Sequence, residues 1–134
     1  VKAEIIEIAG AHGIQVVLVA SIAHDMPEGP GIEIVRVDAE PQAADIAIVN
    51  RARAGDVVVT GDYGLACMVL GRRAHVIDFR GGIYSDHNID GLMARRHAQA
   101  RQRRGGGRHK GPRPFSAETR LAFRATLERV LRHP

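Results

Sequence analysis

The stretch Val57-Val58-Val59-Thr60-Gly61-Asp62-Tyr63-Gly64-Leu65-Ala66 decides the fold. Its β-branched run reads as a buried strand of a parallel sheet. The run stops at Thr60-Gly61-Asp62, and a helical apolar pattern follows at once. A carboxylate is thereby placed at the carboxyl end of a strand, beside a helix N-terminus. Ligands of open α/β sheets bind at that end. Asp62 serves there either as the cap of the helix or as a metal ligand.

Working outward, strands and helices alternate. Residues 1–12 read as an amphipathic helix stopped by Gly13, and Gln15–Ala20 as a strand. Ser21–Gly31 is a loop rich in Gly and Pro, and Ile32–Val37 alternates as a strand does. Pro41 suits the first turn of a helix that runs to about Ala54 and stops at Gly55. Asp56–Thr60 is then the central strand, Asp62–Leu70 a short helix and Ala74–Phe79 a further strand. Arg80-Gly81-Gly82 turns the chain, and a helix is expected from Asn88 to about Gln102. Ser116 caps a last helix that buries Leu121, Phe123, Leu127, Val130 and Leu131. The alternation predicts an α/β fold, a three-layer α/β/α sandwich with a mostly parallel central sheet. Such domains ordinarily open on a strand, and here a helix comes first, so a strand upstream of Val1 is expected.

The 134 residues suit one domain, 1–134, and 45% apolar content suffices for a core. The lone Cys67 excludes a disulfide framework and a cysteine-based zinc site. Its apolar neighbours predict a buried thiol in a reducing compartment. No apolar run approaches membrane-spanning length, and Lys2, Glu4 and Glu7 do not suit a signal peptide. A cytoplasmic protein with no membrane partner is expected.

Charge is divided unevenly along the chain. Residues 1–94 hold 13 acids against 7 Lys/Arg, and residues 95–134 hold 12 Lys/Arg against 2 acids. A basic arm supplies phosphate contacts, and an acidic body needs cations before it can face phosphate. The split points to metal-dependent action on nucleic acid; a solvated basic tail is the plainer explanation. Between Arg95 and Arg113 lie eight Lys/Arg and no acid, with no aromatic side chain to stack on bases. Arg101, Arg103, Arg104, Arg108, Lys110 and Arg113 are the candidate nucleic-acid contacts, directed at backbone phosphates. The glycine-rich loop 103–114 carries most of them.

Asp45 falls in the first turns of the helix that feeds the central strand. There it either complements the helix dipole or joins Asp62 at the same edge of the sheet. Asp78 ends the next strand and could join them. Carboxylates so gathered repel one another unless Mg²⁺ or Mn²⁺ lies between them. Metal sites of that kind activate water and clamp phosphate oxygens. Asp45, Asp62 and Asp78 are the candidate metal ligands, and Asp45, Asp62 and Thr60 the candidate catalytic set. Asp38, Glu40 and His24-Asp25 are weaker candidates. The seven histidines show no zinc spacing, and no P-loop, dinucleotide fingerprint or nucleophile elbow is present.

Several separate motifs occur in order: Val17-Leu18-Val19-Ala20 with His24 after it, Ala43-Ala44-Asp45, and Gly55-Asp56-Val57-Val58-Val59-Thr60-Gly61-Asp62. Gly64-Leu65-Ala66, Arg80-Gly81 with Tyr84, and Gly111-Pro112-Arg113-Pro114-Phe115-Ser116 follow. Over nearly the whole chain this resembles the bacterial YaiI/YqxD family, grouped with PIN-like nuclease domains. The resemblance implies a PIN-like sandwich and a divalent-metal-dependent nuclease. Asp45 matches the helix acid of such domains, and Thr60-Gly61-Asp62 matches their (S/T)-x-D motif. It also implies an Asp-Ala-Asp run on a first strand just before Val1, and Asp78 departs from the pattern. The function expected is Mg²⁺- or Mn²⁺-dependent hydrolysis of phosphodiester bonds, in RNA rather than DNA. The alternatives are a non-catalytic nucleic-acid-binding protein with a vestigial acidic pocket and a small-molecule phosphate binder.

Overall fold

The computed structural model describes residues 1–21, 26–40, 42–91, 94, 95, 98 and 116–132. The chain is mixed α/β. Helix α1 (Lys2–Ala11) leads into β1 (Val16–Ser21), followed by β2 (Ile32–Val37) and α2 (Ala43–Arg51). Then come β3 (Val57–Val59), α3 (Tyr63–Leu70), β4 (His75–Ile77), β5 (Ile83–Tyr84) and α4 (Ala117–Arg132). Residues 89–91 are helical too, at the start of the helix expected from Asn88. Most of that helix, Pro41, His24-Asp25 and the loop 103–114 lie outside the described residues.

One continuous central sheet was expected, and two small sheets are found. β1 pairs with β2 in parallel, from Val16 opposite Ile32 to Ser21 opposite Val37. β3 pairs with β4 in parallel, and β5 returns antiparallel to β4. No ladder joins β1 to β3 among the described residues. β5 is a departure from expectation, since no element is expected between the turn at Gly82 and the helix at Asn88. Ile83-Tyr84 directly after a Gly-Gly turn is the signal that pointed to it.

Helices cover both faces of β3, and alternation along the strand sorts its side chains between them. Val58 packs against a cluster of Ala52, Leu65, Ala66, Val69 and Val76, together with Ile48 and Val49 of α2. Val57 and Val59 pack on the other side, with Ile5 and Ile8 of α1, Ile77, and Phe123 and Leu127 of α4. A third cluster joins Ala9 of α1 to Val16 and Leu18 of β1. The α1–α4 seam is closed at its rim by Glu4 with Arg120 at 2.9 Å and Glu7 with Arg124 at 3.0 Å.

The long last helix starts as expected. Ser116 Oγ accepts the Thr119 N–H at 3.1 Å. Phe123, Thr126, Leu127 and Val130 form its buried stripe. Leu121 was expected inside and is 65% exposed, because it lies off that stripe. Cys67 was likewise expected to be buried and is exposed. Helix α3 buries Leu65, Ala66 and Val69, which turns Cys67 and Met68 outward. Surrounding apolar sequence does not determine which face a residue occupies; the 3.6-residue period does. Helix α2 ends at Arg51 rather than near Ala54, where Ala52 turns to extended backbone and is buried.

Candidate acidic site

The site begins at the end of β3. Thr60 is buried, and its N–H donates to the Ile77 carbonyl at 3.0 Å, extending the β3–β4 ladder one step. Its hydroxyl accepts the Asp62 N–H at 3.0 Å. This local bond bends the chain out of the strand and aims Asp62 at the helix. Asp62 Oδ1 accepts the Leu65 N–H at 3.0 Å, so Asp62 is the N-cap of α3. The capping half of the sequence reading therefore holds. Asp62 is exposed, and its Oδ2 takes no part in that cap bond.

Asp45 stands in the first turn of α2, where its charge complements the helix dipole. The cap residue of α2, Gln42, makes no side-chain cap bond. Burial pushes the Asp45 carboxyl above its ordinary pKa, and the Asp62 charge pushes it the same way. The fold thus brings Asp45 and Asp62, from separate elements, within electrostatic reach. Neither forms an ion pair among the described residues.

Asp78 is engaged differently. Its Oδ1 accepts the N–H groups of Arg80 and Gly82, both at 2.8 Å. The Asp78 N–H in turn donates to the Gly82 carbonyl at 2.8 Å. Asp78 thereby organises the β4–β5 turn. Among the described residues no group of three or more His, Cys, Asp or Glu is placed to hold a metal ion. Arg101, Arg103, Arg104, Arg108, Lys110 and Arg113 lie outside the described residues.

Between the end of β2 and the start of α2, an open cleft is lined by Arg36, Asp38, Glu40, Gln42 and Ile46. Asp38 and Glu40 were weak candidates from sequence; Arg36 and Gln42 were not singled out. Their position at the end of β2 and at the start of α2 was the available signal. A second concavity lies between His75, Tyr84, Asp86 and His87, away from the acidic pair.

Fold and site together define an α/β protein with an acidic pair at the carboxyl end of a parallel strand. The chain belongs to the family described as "Uncharacterized BCR, YaiI/YqxD family", which it matches over residues 1–133. It is 41% identical over 131 residues to a UPF0178 protein of Halalkalibacterium halodurans, covering 98% of this chain and 83% of that one. A UPF0178 protein of Alkaliphilus metalliredigens is 42% identical, covering 98% of this chain and 84% of its own length. One of Staphylococcus epidermidis is 38% identical over 95% of this chain and 87% of its own. No solved structure matches the chain. No helix among the described residues is long and apolar enough to cross a membrane.

Proposed function

We propose that this protein is a divalent-metal-dependent nuclease of PIN-like fold that hydrolyses phosphodiester bonds in RNA. The observation that carries the reading is the Asp45–Asp62 pair. Burial, and then the charge of Asp62 from a different element, raise the cost of ionising Asp45. Oxygen donors of like charge suit a hard cation. Asp45 and Asp62 would hold Mg²⁺ or Mn²⁺, which when bound supplies Lewis acidity to phosphate and activates water.

The chain's own residues do the positioning. Thr60 holds the backbone of Asp62, and the α3 cap fixes its Oδ1. Asp62 Oδ2 and the Asp45 carboxylate are then the groups presented to a ligand. Asp78 is proposed as an assisting ligand through Oδ2, its Oδ1 being held by the turn. Arg101, Arg103, Arg104, Arg108, Lys110 and Arg113 would bind the phosphate backbone without reading sequence.

Labelled RNA incubated with Mn²⁺ tests the reading, with Asp62→Asn alongside. Cleavage by the parent and loss of at least about 100-fold in the variant is expected. Equal cleavage by both would remove Asp62 from the site. A second reading, a non-catalytic RNA-binding protein, is favoured by the use of both Asp62 and Asp78 in backbone hydrogen bonds. RNA binding that ignores metal and yields no product would select it.

A further inference from the structure

We infer that Phe79 is a stacking platform for one base of the nucleic acid held at the Asp45–Asp62 pair. The inference rests on the proposed RNA substrate and adds to it a group that grips a base beside the carboxylates.

The fold places the ring there. β4 pairs in parallel with β3, so both strands end at one edge of their sheet. Asp62 leaves that edge from β3, and Phe79 leaves it from β4. The two ends are tied together, since the Thr60 N–H donates to the Ile77 carbonyl at 3.0 Å. The Phe79 ring lies against Gly61, the residue between Thr60 and Asp62. A Cβ added at Gly61 would stand 3.0 Å from Phe79 Cε2 and 3.3 Å from Cδ2. The ring therefore lies closer to the chain than a side chain at that position would ordinarily allow. Asp62 comes next, its Cα about 3.8 Å further along. A base joined to a phosphate held at Asp62, or the base beside it, is within reach of the ring.

The ring is not committed elsewhere. Phe123 is fully buried in the core, and Tyr84 is buried with its ring edge-on to Tyr63 at 5.6 Å. Phe79 is 41% exposed and belongs to none of the three apolar clusters. Among the described residues no other ring contacts it. Single exposed apolar side chains are ordinary on a protein surface. Phe79 differs from Met68 and Leu121, which are also exposed, in offering a π face at the ends of the strands that carry the acids.

That face supplies what the rest of the site lacks. Carboxylates and a cation act on phosphate and leave the base unheld. Residues 101–113 offer positive charge but no Phe, Tyr or Trp. Stacking on an aromatic ring contributes affinity for any base, because every base has a π face. The face of a base is open to a side chain where the base is unstacked from its neighbours. Phe79 thus adds a contact to the base that is independent of sequence and closed to a duplex.

Binding measured in the Asp62→Asn background with Mn²⁺ tests this, since Asn keeps the α3 cap and the RNA is not consumed. Cleavage by the parent is followed in parallel. The probes are a single-stranded oligoribonucleotide of mixed sequence and an abasic oligonucleotide of the same length and charge. Phe79→Leu keeps an apolar side chain and removes the ring; Phe79→Tyr keeps the ring. Phe79→Leu is expected to bind the base-bearing strand about 5- to 150-fold more weakly. Its affinity for the abasic strand should be unchanged, and Phe79→Tyr should bind as the Phe79 protein does. Equal weakening on both probes would indicate a structural role and overturn the inference. Unchanged binding in Phe79→Leu, or weakening in Phe79→Tyr as large as in Phe79→Leu, would overturn it too. Cleavage by the parent without Phe79-dependent binding would overturn this inference and leave the nuclease reading standing. Phe79-dependent binding with no cleavage would do the reverse, and binding of neither probe would overturn both.

Discussion

β3 and β4 are neighbouring parallel strands, each followed closely by an aspartate, and the two aspartates do different work. Asp78 follows β4 directly and spends Oδ1 on two backbone N–H groups of a tight turn. Asp62 comes three residues after β3, beyond Thr60 and Gly61, and spends Oδ1 on one N–H of a helix. The charge of Asp62, and not that of Asp78, acts on Asp45. The difference follows from what comes next in the chain. After Asp78 the strand folds back on itself, so the nearest donors belong to its own turn. After Asp62 a helix leaves the sheet, and the cap bond uses one oxygen while the side chain stays at the strand ends. The same residue type at equivalent strand ends thus becomes a turn anchor in one case and a candidate ligand in the other.

The comparison is broken most severely at Gly81. Its φ is +89°, and an added Cβ would meet the Ala122 carbonyl oxygen of α4 at 2.7 Å. Both are backbone contacts or conformations, so neither can relax by a rotamer change. Gly81→Ala is expected to cost about 2–4 kcal/mol in chemical denaturation. The loss should exceed that of any change at the β3 end, because the β4 turn is also where α4 docks. There Thr126 Oγ1 donates to the Gly81 carbonyl at 2.8 Å.

Next in size is Asp78→Ala, which strips the acceptor from two N–H groups and is expected to cost about 1–3 kcal/mol. Asp78→Asn keeps an acceptor oxygen and should recover much of that loss. If instead the two variants unfold alike, the charge of Asp78 rather than its acceptor geometry matters, and the contrast with Asp62 narrows.

Asp62→Ala removes a helix cap and is expected to cost about 1 kcal/mol. Asp62→Asn should be close to neutral in stability, since Asn caps as well as Asp. Proton–carbon NMR can then report whether the Asp45 carboxyl titrates at lower pH in Asp62→Asn, as loss of the neighbouring charge requires. An unmoved Asp45 titration would separate the two acids.

The smallest effect is a pH dependence at Asp45. Its folded pKa lies above the unfolded value of about 3.8. The native state therefore holds the proton longer than the unfolded chain, and stability falls as pH rises from that value through the folded pKa. Asp45→Asn should be slightly more stable than the parent above that window and should lose its advantage below it. Glu4 and Glu7 act in the opposite direction. Backbone and Arg120 hydrogen bonds hold Glu4 low, and Arg124 holds Glu7 low. Their contribution is present above the ordinary carboxylate pKa and fades as pH falls through the folded values. Raising salt should weaken it, because both pairs are at the surface.

Much of this was legible in residues and spacing. Val57-Val58-Val59 announced a strand, Asp62 a cap, Ser116 a cap, and the 3.6-residue spacing of Phe123, Leu127 and Val130 a buried helix face. These are local decisions, made by backbone sterics, side-chain branching and hydrogen bonds that reach only three or four residues. The mixed α/β class and the pairing of Asp45 with Asp62 also followed, because crossover handedness limits where helix starts and strand ends can lie. What local pattern could not supply was anything fixed by partners distant in sequence. Cys67 and Leu121 are surrounded by apolar residues and are exposed, since only the docked face of each helix is covered. Asp78 reads as a strand-end acid and becomes a turn anchor, because β5 comes back beside β4. The division into two half-sheets is of the same kind: each strand is specified by its own residues, but whether two edges meet depends on what lies between them.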